Sequence, residues 1–169
     1  MRTLFSGILA LGVLSGQMAA AGPCARPSDK AAFGVEGLKS ELMVTALACH
    51  AQDRYNEFVG KFRPDLVRQE RALDGYFGRA FGRRAREQHD EYITSLANAQ
   101  SEAGIRLGAA YCQQQLGRFE QVMALTGRGD LPRFALGQPI VQPLALVDCA
   151  PPVHRTRTAL AAAGGRRHH

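Results

Sequence analysis

Four cysteines constrain this chain more than any other feature. Cys24, Cys49, Cys112 and Cys149 are separated by 25, 63 and 37 residues, and no two of them form a Cys-x-x-Cys pair. That spacing provides no motif for a zinc ribbon, thioredoxin-type redox chemistry or haem attachment. An even cysteine count in an exported chain reads instead as a disulfide framework.

Residues 1–21 carry the pattern of an export signal. Met1-Arg2-Thr3 is a short positive start, Leu4 to Leu14 is an apolar run, and Ala19-Ala20-Ala21 is a small-residue cleavage site. The apolar run is too short for a bilayer core, which needs about 20 residues. Cleavage is expected before Gly22. Pro23 precedes Cys24, where a lipid-modified cysteine would need a small residue. The expectation is a soluble, exported product, periplasmic or secreted, with no membrane span.

Between the cysteines the apolar residues recur at helical spacing. Phe33, Val35, Leu38, Leu42 and Ala46 predict a helix over about 29–50, with Ser28 and Asp29 as N-cap candidates. Asp53 opens a second helix over about 54–81, expected to kink or break at Arg63-Pro64. Residues 84–125 contain no proline and read as one long helix, or two in line with a break near Gly104. From 126 to 150, three glycines and three prolines predict an extended arm lying on the helices. Residues 151–169 are small, basic and turn-rich, and are expected to be a disordered tail. The fold class is therefore all-α: one domain over 22–150, an antiparallel bundle of three to four helices with a Pro/Gly-rich C-terminal arm.

Helix length then selects a cysteine pairing. A helix from about 29 to 50 holds Cys24 and Cys49 roughly 30 Å apart, so those two do not pair. If the second helix descends for about 28 residues, counting the same number up from residue 84 reaches Cys112, level with Cys49. Cys49–Cys112 and Cys24–Cys149 are the favoured pairs, and Cys24–Cys112 with Cys49–Cys149 is the alternative.

The net charge of +6 does not belong to the folded part. Arg2 lies in the leader, and Arg155, Arg157, Arg166 and Arg167 lie in the tail. Residues 22–150 hold 16 basic and 15 acidic residues, a net of +1. A nucleic-acid partner has little electrostatic support from so neutral a body.

Candidate chemistry is sparse. His50 with Asp53, and His89 with Asp90, are the two His/Asp pairs able in principle to act as acid and base. Their structural roles are simpler: helix-end capping for the first pair, a solvated helix face for the second. No Glu-x-x-His pair, serine-hydrolase elbow or phosphate loop is present, so neither a metal nor another cofactor is expected. The strongest binding candidate is Arg79, Arg83, Arg84 and Arg86, beside Tyr76, Phe77 and Phe81, where an anionic envelope component or an acidic protein surface could dock. The sequence favours a non-catalytic periplasmic binding or interaction module. A small envelope-directed hydrolase using a His/Asp pair is the second reading.

Overall fold

A computed structural model describes residues 24–149 apart from residue 128. The leader and the basic tail lie outside the described residues. Five helices follow in order: α1 (Pro27–Ala48), α2 (Gln52–Phe81), α3 (Ala85–Leu107), α4 (Ala110–Met123) and the short α5 (Asp130–Leu136), with a 3-10 turn at Gly82–Arg84 between α2 and α3. The fold is all-α, as the periodicity predicts.

α1 is the central element because it is buried on nearly every side. Ala32, Phe33, Val35, Leu38, Leu42 and Ala46 are all at most 2% exposed, and they point in several directions around the helix. Burial on so many sides needs several partners, and α2, α3, α4 and α5 pack against it; Asp29, Glu36 and Glu41 are buried along with the apolar residues. Two apolar clusters result. Leu38, Leu42, Phe58, Phe62, Phe119, Val122 and Leu131 join α1 to the start of α2, to α4 and to α5. Phe33, Leu73, Tyr76, Phe77, Tyr92 and Leu96 join the start of α1 to the end of α2 and to α3. Phe33 meets Tyr76 and Tyr92 edge-on, at centroid distances of 5.0 and 4.9 Å, the arrangement aromatic quadrupoles favour.

Several expected boundaries move, each for a local reason. α1 begins at Pro27, a residue suited to a first helical position. Asp29 therefore lies within the first turn, where its carboxylate accepts the Arg26 backbone N–H at 2.8 Å. α2 continues unbroken through Pro64; Phe58 and Phe62 before it and Leu66 after it pack into the same cluster, and this tertiary packing outweighs the lost backbone bond. Asp53 is not the N-cap of α2 but a first-turn residue. The predicted 84–125 helix is two helices, and the break falls at Gly108, not near Gly104. Gly108 has φ +56°, a conformation glycine adopts without a Cβ clash. Gly104 stays helical, its Cα facing the Tyr111 ring.

The arm is only partly extended. Asp130 accepts the Gly127 N–H at 2.7 Å and Gly129 turns at φ +79°. These two features start α5, with Pro132 inside its first turn. Beyond α5 the chain runs along α1. Gln142 donates to the Phe33 carbonyl at 3.0 Å and accepts from the Tyr92 hydroxyl at 2.9 Å. Ala25 pairs with the arm through Val147 and Cys149.

Both favoured disulfides are present. Cys49–Cys112 joins the α1–α2 corner to α4, with Cα atoms 5.6 Å apart, and Cys24–Cys149 closes the arm onto the segment before α1. Among the described residues no helix is long and apolar enough to cross a membrane.

Candidate functional site

The four junction arginines do not form one patch. Arg79 turns inward to α1, where its Nη2 donates to both oxygens of Asp29 at 2.7 Å. Arg84 pairs with Glu87 on the surface, Nε to Oε2 at 3.1 Å. Arg83 and Arg86 remain exposed. Tyr76 and Phe77 are core residues, while Phe81 is 36% exposed and stacks on Phe77.

His50 and Asp53 line a shallow cavity of about 280 Å³ with Cys49, Arg54 and Leu116. His50 has φ +55°, and the next residue, Ala51, donates its N–H back to the Ala46 carbonyl at 2.9 Å. This is the left-handed closure of a helix C-terminus. His50 is the residue that turns the chain out of α1. Asp53 places its negative charge on the first turn of α2, where the helix dipole favours it.

His89 is arranged differently. Its ring stacks on Phe77 at 5.0 Å and 15°, with the side chain 12% exposed. It does not pair with Asp90. Nδ1 lies 3.0 Å from Asp74 Oδ1, and Nε2 lies 3.6 Å from Glu70 Oε1. Nε2 is buried and has no hydrogen-bond partner among the described residues. Glu70 and Asp74 sit four residues apart on α2, a spacing that puts both on one helix face, and α3 carries His89 opposite them. The three line a cavity of about 500 Å³ with Phe77, Ala85, Arg86 and Asp90.

The polar chain continues into α1. Lys39 Nζ is 2.7 Å from Glu36 Oε2 and 3.6 Å from Glu70 Oε2. Burial pushes the Glu36 carboxyl above its ordinary pKa despite Lys39. Burial pulls Lys39 down, but Glu36 and Glu70 together outweigh it and hold its pKa above the usual value. Lys39 and Glu70 also line a second cavity of about 460 Å³ with Tyr55 and Leu66.

Sequence reasoning singled out His89 but missed Glu36, Lys39, Glu70 and Asp74. One signal was available. With the hairpin turning at Gly82, Asp74 lies eight residues before the turn and His89 seven after it, which makes them level across antiparallel helices.

An apolar groove opens at the other end of the molecule. Val44, Leu47 and Ala48 of α1, Gly104 and Ile105 of α3, and Tyr111 and Cys112 of α4 border about 490 Å³. Ile105 is 80% and Leu47 62% exposed. No family model matches the chain, no curated protein matches its sequence, and no solved structure matches its fold.

Proposed function

We propose that this protein is an exported, non-catalytic binding module that takes apolar side chains of a partner protein into the groove between α1, α3 and α4. The observation that carries this reading is the exposure of Ile105 and Leu47 on the rim of one concave, mostly apolar surface. Large apolar side chains gathered around a groove are costly in water and are typical of interaction sites. Cys49–Cys112 and the Thr45–Tyr111 hydroxyl contact at 3.1 Å hold the α1 and α4 walls together, so the groove exists before a partner arrives. The Arg79–Arg86 junction is the weaker docking surface, because Arg79 and Arg84 already have partners. Export to the periplasm or the exterior is part of this proposal; it rests on the leader pattern and the two disulfides.

The test is site-specific photo-crosslinking in cells of the source organism. A photoreactive side chain at Ile105 is expected to yield a discrete protein adduct in the exported fraction, and Leu47→Asp is expected to abolish it. An adduct formed from Arg83 but not from Ile105 would move the site to the basic junction. The absence of adducts at both positions would end the binding-module reading.

The hydrolase reading keeps one supporting observation, the 3.0 Å approach of His89 to Asp74 inside a cavity. That cavity's lining carries no hydroxyl or thiol, so a hydrolase here would need an activated water. Retention of a purified hydrolytic activity by His89→Gln would eliminate it.

A further inference from the structure

We infer that Glu70, Asp74 and His89 form a binding site for a single divalent transition-metal ion, with Zn²⁺ the best fit. Each residue offers one ligand atom, and the three atoms all lie within 4.8 Å of one another. Nε2 of His89 and Oε1 of Glu70 are 3.6 Å apart. Two ligand atoms on a common tetrahedral Zn²⁺, each bonded at about 2.0–2.1 Å, are separated by about 3.3 Å. A small rotation of the Glu70 side chain, which is 43% exposed, covers the difference.

A second observation concerns the imidazole itself. Nε2 is buried and without a hydrogen-bond partner among the described residues. A buried polar atom left unpaired is costly, and a metal bond at this position removes that cost. The ring is already oriented by the Phe77 stack. A ligand fixed before the ion arrives loses little freedom on binding.

Charge and donor type narrow the ion. Glu70, Asp74 and Asp90 line the cavity with Arg86, and Lys39, which reaches Glu70 at 3.6 Å, is balanced by Glu36 at 2.7 Å, leaving two negative charges that one divalent cation neutralises. One imidazole with two carboxylates suits Zn²⁺ and its transition-metal neighbours, whereas Ca²⁺ wants six or more oxygens. Asp74 Oδ1 lies 3.0 Å from the other ring nitrogen, Nδ1, so Asp74, whose side chain is 62% exposed, turns toward Nε2 to become the third ligand; three protein ligands leave room for water in the cavity. The site would clamp α2 to α3 beside the Lys39–Glu36 pair, distant in the chain from the apolar groove, so it stands independently of the binding-module reading.

The test is calorimetric titration of the full chain with Zn²⁺, compared with Ca²⁺, and absorption spectra of the Co²⁺ form as a direct report on the ligands. One Zn²⁺ per chain is expected, with weak or no Ca²⁺ binding. His89→Gln, Glu70→Gln and Asp74→Asn should each weaken Zn²⁺ at least about tenfold and change the Co²⁺ bands. Asp74 is 62% exposed, so Asp74→Asn keeps the core intact even if His89→Gln folds poorly. Replacing His154, His168 and His169 together with Ala, or His50 with Gln, should leave the affinity unchanged. No Zn²⁺ binding by the parent protein would overturn the inference. So would binding lost with the tail histidines, or binding that survives both Glu70→Gln and Asp74→Asn.

Discussion

Arg79 reaches across from the last turn of α2 and donates to both carboxylate oxygens of Asp29 in the first turn of α1. The Asp29 side chain is 3% exposed, and it also accepts the Arg26 backbone N–H. One buried carboxylate thus completes the start of the central helix and ties it to the end of its neighbour. A charge this deep is tolerated because every bond it accepts is charge-assisted or lies at a helix N-terminus.

Asp29→Ala should therefore destabilise the fold by about 2 kcal/mol, combining a lost helix-start bond with a lost charge-assisted pair. Arg79→Ala should cost at least as much, since it leaves the Asp29 carboxylate, 3% exposed, without its charge partner. Urea denaturation of the two single variants and the double variant measures this. Equal and additive effects would show that the pair is not coupled.

At Gly37 the arm lies directly against α1. A Cβ built there would lie 2.3 Å from Gln142 Nε2 and 2.9 Å from Ile140 Cγ2. Both side chains would have to move, and Gln142 would lose its bonds to Phe33 and Tyr92. Gly37→Ala is expected to destabilise by about 1–3 kcal/mol, typical of overpacking. It should also speed amide exchange in residues 138–147 while leaving α2 protected. Unchanged exchange in the arm would show that Gln142 does not hold it.

Glu36 and Glu41 each contribute to the pH dependence of stability. Burial raises both carboxyl pKa values, only partly offset by Lys39 and Arg118 respectively. A carboxyl with a raised folded-state pKa binds more protons folded than unfolded in the window above the ordinary carboxylate value. Its contribution is fully present below that ordinary value and is lost as pH rises through the raised one. In Glu36→Gln and Glu41→Gln, stability should fall less between pH 5 and pH 7 than in the parent. At pH 7, Glu41→Gln should match or exceed the parent, because Glu41 Oε1 has Arg118 at 3.2 Å without a well-formed hydrogen bond. Thermal melts across pH check the slopes.

Removing Cys49–Cys112 as a double serine variant should cost about 4 kcal/mol, from the chain-entropy cost of the 63-residue separation. The apolar groove should loosen with it, because that bridge joins two of its walls. Urea melts give the stability, and faster amide exchange in residues 104–112 would report the loosening.

The fold class and the disulfide pairing were legible in the sequence because helix rise is a fixed length. Counting residues down α2 and up the following segment brings Cys112 level with Cys49, and the turn at Gly108 between α3 and α4 is short enough to leave that level unchanged. The break in the 84–125 segment was not legible at the right residue. Gly104, between Ala103 and Ile105, and Gly108, between Leu107 and Ala109, have similar chain neighbours, and only Gly108 takes φ +56°. α5 was hidden by Pro132, which breaks a helix in its interior but fits its first turn.

The site residues divide along the same line. The sequence alone determined the all-α class and favoured the cysteine pairing that the structure has, because these follow from local periodicity and a constant rise per residue. Only the tertiary structure decided that His89 faces Asp74 and Glu70 rather than its neighbour Asp90. Adjacent helical residues point about 100° apart, so a chain neighbour is a poor guide to a partner, and the partner is set by which helix packs opposite. The same reason separates the four junction arginines: close together in the chain, they project in different directions, and only Arg79 finds the buried carboxylate on α1.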